Sequence, residues 1–235
     1  MLFHTGLAPP LWSRRDVLQT AQTLGLGALA VGAAANSLAK PAATKESAVE
    51  DRVFPGGPGR IFGPGPKGWW DSERVSCPRV LRGADGKWKM WYYGRDPDFD
   101  RKVTLPTGRV GLATSDDGIR WQRVAGPLTM GAVFEPHPDL SRFDSSHVGI
   151  TDIHFHDELY WMWYLGGDQS IRKFGLTEAK GFPMLPGCAI SRDGLHWTRL
   201  AGPHRGALLD VGVAGDFDEA MVSWPQVVRW DDGSW

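Results

Sequence analysis

The chain has 235 residues, with 26 Lys and Arg against 27 Asp and Glu, for a formal net charge of −1. That balance excludes a nucleic-acid role built on a basic surface, and two cysteines are too few to staple a small disulfide domain. Glycine (30 residues) and proline (17 residues) are too frequent for a helical fold, and 12 tryptophans recur at matching places along the chain.

The first segment is a targeting signal by its pattern. Ser13-Arg14-Arg15-Asp16-Val17-Leu18-Gln19 follows the twin-arginine export pattern, and a weakly apolar Ala/Gly/Leu run from Leu24 to Ala35 comes next. Ser37-Leu38-Ala39 then offers small residues to a signal peptidase. Residues 1–39 are therefore expected to be an export segment for a bacterial periplasm or a thylakoid lumen, with 40–67 a linker. The competing reading is an ordinary secretory signal or an apolar N-terminal helix. The run is too short and too glycine-rich to span a bilayer, so no membrane span is expected in the mature chain.

From residue 68 the chain repeats itself. A mostly apolar strand at 75–82 leads through Asp85-Gly86 to an aromatic strand, Trp88–Tyr93. Asp-Gly between hydrophobic runs is a strong hairpin signal. A third strand at 109–114 and a turn at Asp117-Gly118 lead to a fourth strand ending near Val124. The series returns as 148–156, 160–165, 187–191 and a strand ending near Leu200, and it opens again at 222–230 followed by Asp232-Gly233. Gly-Leu-Ala-Thr-Ser-Asp-Asp-Gly-Ile-Arg-Trp (Gly111–Trp121) answers Gly-Cys-Ala-Ile-Ser-Arg-Asp-Gly-Leu-His-Trp (Gly187–Trp197), and Lys89–Gly94 answers Trp161–Gly166. The period of roughly 74 residues is long for four short strands, so the surplus is assigned to the loops 95–108 and 167–186.

Four antiparallel strands per repeat make a propeller blade. The fold is expected to be an all-β, five-bladed β-propeller. Two blades and the start of a third are present, in repeats near 71–143, 144–217 and 218–235. Repeat counting implies a whole protein of roughly 350–450 residues, of which this chain is a fragment. Cys77 and Cys188 fall on non-equivalent strands, so no disulfide is expected between them. No glycine-rich phosphate loop and no zinc-type Cys/His spacing occurs, so no cofactor is expected.

The Ser-Asp-Asp-Gly-Ile-Arg-Trp and Ser-Arg-Asp-Gly-Leu-His-Trp motifs, with the Met-Trp-Tyr strands, resemble the five-bladed propeller superfamily of glycoside hydrolases, which includes arabinanases, levansucrases and invertases. The resemblance runs over about residues 68–235. It implies a hydrolase acting on a glycan or oligosaccharide, which the leader makes an exported one, with a base and a pKa-setting Asp just before the inner strands of the first two blades and a Glu acid in the third. Those places here hold Cys77-Pro78, Ile150-Thr151 and Trp224-Pro225, none of them acidic. A carbohydrate-binding or scaffold propeller without the catalytic set is the alternative.

Glycoside cleavage needs one protonated and one ionised carboxyl group. Asp71, Asp144 and Asp218 recur at one place in every repeat, whereas an acid and a base must differ. These three are read either as structural devices bonding local backbone or as cavity-lining substrate contacts, around a mouth shared with Glu73, Arg95, Arg101 and Lys173. The blade-unique acids suit asymmetric roles, with Glu219 as general acid and Asp152 as its partner. Trp69, Trp70 and Trp224 are read as core packing or, near a mouth, as sugar-stacking surfaces, and Trp224 is counted with the substrate contacts. His154 and His156 share one side of a strand but lack a third ligand, so with His147 they are read as ordinary histidines and no metal is expected.

Overall fold

The computed structural model describes residues 59–97, 107–174, 177–181 and 183–235. The export segment, the linker up to residue 58 and Arg101 lie outside the described residues. The described part is all-β and contains no α-helix; a 3-10 turn occupies Thr129–Gly131. The first sheet is β1 (Arg74–Arg82), β2 (Trp88–Arg95), β3 (Arg109–Ser115) and β4 (Gln122–Val124), hydrogen-bonded in that order and antiparallel throughout. The second repeats it with β5 (His147–His156), β6 (Leu159–Gly167), β9 (Met184–Ser191) and β10 (Thr198–Leu200). Between β6 and β9 lies a two-stranded hairpin, β7 (Ile171–Phe174) and β8 (Thr177–Lys180).

Two of these features depart from the sequence reading. The 167–186 segment, expected to be loop, carries the β7–β8 hairpin. The strand expected at 222–230 has no ladder partner among the described residues, because a strand exists only through the neighbour that takes its N–H and C=O groups. Also, β5 and β6 join through Asp157 (φ 49°) and Glu158 (φ 60°) with no glycine between them. Both φ values are positive, as a two-residue hairpin turn demands.

Alternation along the second strands sets the packing. Met90 and Tyr92 face one side of the first sheet and Trp91 the other, and Met162, Tyr164 and Trp163 repeat this in the second. The Trp91 side of the first sheet packs on the Tyr164 side of the second, in a core that includes Val110, Leu112, Ile150 and Met162. The same step continues into the third repeat. Trp91 meets Tyr160 at 5.1 Å between ring centroids, and Trp163 meets Trp235 at 5.2 Å. Each unit thus lays one face on the next, as blades do.

First strands of successive units are also tied directly. The Arg79 guanidinium on β1 donates to the Thr151 carbonyl on β5. Asp152 Oδ2 on β5 accepts from the Val227 N–H at 2.9 Å. The wall shared by β1, β5 and 222–230 is therefore the inner one, and the loops entering these strands gather at one end with the loops leaving β2 and β6.

Candidate active site

Asp71 and Asp144 are wholly buried, each inside the same lock. Tyr92 Oη donates to Asp71 Oδ2 at 3.0 Å and Arg123 Nε at 2.7 Å. In the second unit Tyr164 Oη and Arg199 Nε do the same to Asp144 Oδ2, at 3.0 and 2.6 Å. The Arg123 and Arg199 guanidinium groups also donate to the Gly63 and Glu135 carbonyls, both at 2.5 Å. Arg123 lies 4.4 Å from the Phe62 ring centroid and Arg199 4.1 Å from that of Phe134. Burial first, and then the adjacent carboxylate, pushes the phenol pKa of Tyr92 and Tyr164 far up, so both remain hydrogen-bond donors.

The glycine ending the aromatic strand makes room for the lock. A Cβ on Gly94 would sit 2.6 Å from the Trp70 ring and 2.8 Å from Asp71 Cβ, and one on Gly166 would sit 2.4 Å from Asp144 Cβ. Trp70 is core, 2% exposed, and stacks on Tyr92 as Phe143 stacks on Tyr164. Asp71 and Asp144 thus sit beneath the mouth, with no surface facing it. In the third unit the Gly212 N–H donates to the Asp218 carbonyl at 3.2 Å, as Gly65 does to Asp71, while Phe217 at the Trp70 position is 98% exposed.

Glu219 is exposed on the loop before 222–230, its Oε2 accepting from the Gly215 N–H. Asp152 lies within β5, where it joins Val227 and approaches His154 Nε2 at 3.4 Å. The two share no hydrogen bond or ion pair. His154 and His156 pack edge-on against Trp235. Among the described residues no group of three His, Cys, Asp or Glu side chains is placed to hold a metal ion. Cys77 and Cys188 are free thiols, and burial raises that of Cys188 to about 12. No helix of the described residues is long and apolar enough to cross a membrane.

The mouth itself holds acids that the sequence reading passed over. Asp96 follows β2 and Asp168 follows β6, one repeat apart. Arg109, opening β3, lies 3.3 Å from Asp96 Oδ2 and 3.6 Å from Glu135 Oε2, so two carboxylates from different loops share one guanidinium. Their oxygens are then no further apart than the ~9.5 Å outer limit for a glycoside-cleaving pair. Arg109 and Asp96 are mostly buried, and the Glu135 side chain is 29% exposed. Tyr93 and His147 stand close by, 5.5 Å between rings, and burial carries the Tyr93 phenol up to about 12 despite Arg95 and Arg74. Asp168 pairs with Arg205 and accepts from Ser170 Oγ at 2.5 Å. Burial alone would raise its pKa, but these bonds outweigh it and hold the carboxyl below its usual range. Lys173, on β7, pairs with Glu178 at 3.4 Å. The signal for Asp96 and Asp168 was present in the sequence, since both follow the Tyr/Leu-Gly-x ending of the aromatic strand.

No family model and no curated protein matches the chain. Solved structures do. One, from Parabacteroides distasonis and provisionally described as a glycoside hydrolase, is 22% identical, with a TM-score of 0.49 over 71% of this chain and 45% of its own. Another represents the GH130 family of mannoside phosphorylases, which contains glycoside hydrolases that target β-1,2 mannosidic linkages in Candida mannan. It is 21% identical, with a TM-score of 0.47 over 67% of this chain and 44% of its own. A family 117 glycoside hydrolase of Zobellia galactanivorans is 18% identical, with a TM-score of 0.43 over 62% and 41%. The chain spans less than half the length of each of these structures.

Proposed function

We propose that this is an exported, carbohydrate-acting propeller of the glycosidase kind, with its ligand at the mouth above the Asp71 and Asp144 locks. The observation that carries the reading is the pair Asp96 and Glu135 on Arg109, partly open to solvent and no further apart than the outer limit that glycoside cleavage uses. Asp96 makes the closer, hydrogen-bonded contact to the guanidinium and is assigned as the ionised partner. Glu135, further from Arg109 and more exposed, is assigned as the acid that protonates the leaving oxygen. These residues replace Glu219 and Asp152 as the pair to test.

In the whole protein, Glu135→Gln is expected to lower hydrolysis of the responsive glycan by about 10²–10⁴-fold, the usual worth of a general acid. Asp96→Asn is expected to do the same, with binding retained in both. Turnover by either variant within threefold of wild type would remove the pair from the chemistry. Binding without turnover in wild type would favour the alternative, a carbohydrate-binding propeller. That alternative rests on Cys77, Ile150 and Trp224 standing where the resemblance places carboxylates.

Export by the twin-arginine route is part of the same proposal. Changing both Arg14 and Arg15 to Lys is expected to hold the unprocessed chain in the cytoplasm. Processing and export of that variant at the wild-type level, measured by cell fractionation, would assign the segment to another route.

A further inference from the structure

We infer that the Asp144 lock is a positioning device for the acid: Arg199 fixes the backbone of Glu135 and so sets where its carboxyl group stands at the mouth. This rests on the assignment of Glu135 above. Arg199 spans two acceptors with one fork. Its Nε donates to the buried Asp144 Oδ2 at 2.6 Å and its Nη2 to the Glu135 carbonyl at 2.5 Å. The guanidinium also lies over Phe134, the residue before Glu135, which is 1% exposed and packs edge-on against Tyr164 at 4.8 Å. Phe134 forms an antiparallel bridge with Val110 in the first unit, whose N–H donates to the Phe134 carbonyl at 2.8 Å. That register sets Arg109 across from Glu135, where their side chains meet. Pro136 follows and restricts the Glu135 backbone toward the extended region. The His137 N–H then donates to the Asp144 carbonyl at 2.9 Å and closes the segment onto the lock.

The first unit carries the same clamp without the acid. Phe62-Gly63-Pro64 stands there where Phe134-Glu135-Pro136 stands in the second. Arg123 joins Asp71 Oδ2 to the Gly63 carbonyl and lies over Phe62, and the Gly65 N–H donates to the Asp71 carbonyl at 3.1 Å. The clamp is repeated, but the side chain it presents is not: a carboxylic acid in one unit, a bare glycine in the other. Acid and base must differ, and a unit-specific side chain on a repeated backbone clamp meets that need. With the backbone held at Phe134, Glu135 and His137, only side-chain torsions remain to the carboxyl group. A displacement of about 1 Å caused away from the reacting atoms costs about 10²-fold in rate. Lysine cannot stand in for Arg199, because it keeps the charge beside Asp144 but lacks the planar fork that reaches both acceptors.

The test compares Arg199→Lys with Arg123→Lys in the whole protein, following release of reducing sugar from mannan, xylan or arabinan, with urea midpoints measured in parallel. Both variants loosen the same kind of lock and are expected to lower the midpoint alike. Arg199→Lys is expected to lower kcat by about 10–100-fold with KM within about threefold, since the acid acts in the transition state rather than in binding. Arg123→Lys, which loosens only the Gly63 segment, is expected to keep kcat within about threefold of wild type. Equal kcat in the two variants, lowered or not, would make both locks purely structural and overturn the positioning role, with the Glu135→Gln result left to judge the acid itself. Should Arg199→Lys fail to fold, Phe134→Leu against Phe62→Leu draws the same comparison, with the loss of kcat expected in the first alone and equality again overturning the role. Turnover by Glu135→Gln within threefold of wild type would remove the acid and this inference together. A wild-type protein that cleaves none of the three polysaccharides would overturn the hydrolase reading with them.

Discussion

Asp144→Ala is expected to cost about 3–5 kcal/mol, because it strips the partner from a mostly buried guanidinium rather than removing a whole ion pair. Arg199 is 19% exposed, Asp144 has no exposed surface, and the Tyr164 hydroxyl loses its acceptor in the same change. A domain holds only about 5–15 kcal/mol in total, so the variant should unfold at markedly lower urea. Tyr164→Phe should cost about 1–3 kcal/mol, the usual penalty for a buried acceptor left short of a donor. The double variant should cost less than the two together, since both act on one carboxylate oxygen. Asp144 was open to two readings from sequence, structural device or substrate contact. A variant that loses glycan binding with its urea midpoint unchanged would restore the second and refute the lock.

The residues that spoke most clearly in the sequence are those whose role is set locally. Asp117 and Asp193 take N–H groups two and three residues on, and Ser115 and Ser191 brace the same turns, so both turns were legible as Ser-x-Asp-Gly. At Asp193 burial would raise the pKa, but the bonds from His196 and Leu195 win and hold it well below the usual carboxylate range. Strand order and facing were legible too, because Met-Trp-Tyr alternates with the pleat. The lock was legible only in part. Repetition pointed to Asp71 and Asp144, but their partners Arg123 and Arg199 lie 52 and 55 residues away in sequence and are paired only by the folded sheet. The Asp96–Arg109–Glu135 cluster was hidden for the same reason, since the end of β2, the start of β3 and the segment carrying Glu135 must meet before it exists. The turn at Asp157-Glu158 was missed because its backbone is left-handed without the glycine that signals it.

Trp91 carries the second large effect, because it joins the two sheets by both packing and a hydrogen bond. It is fully buried, its Nε1 donates to the Gly194 carbonyl at 2.9 Å, and it meets Tyr160 and Trp197. Trp91→Ala is expected to cost about 3–5 kcal/mol, as aromatic truncations in a packed core do. A pair of glycine substitutions isolates the contact. Gly118 and Gly194 occupy the same turn in successive units, with φ 74° and 82°, so alanine pays about 1–2 kcal/mol for left-handed backbone at either. At Gly118 the added Cβ would meet nothing closer than 3.5 Å, whereas at Gly194 it would stand 2.6 Å from Trp91 Cζ2. Gly194→Ala should therefore cost a further ~1–3 kcal/mol for overpacking. In a Trp91→Ala background that excess should vanish, leaving the two glycine substitutions equal. If urea midpoints show the excess surviving without the indole, the strain lies in the turn itself, and Trp91 is not what seats one sheet on the other.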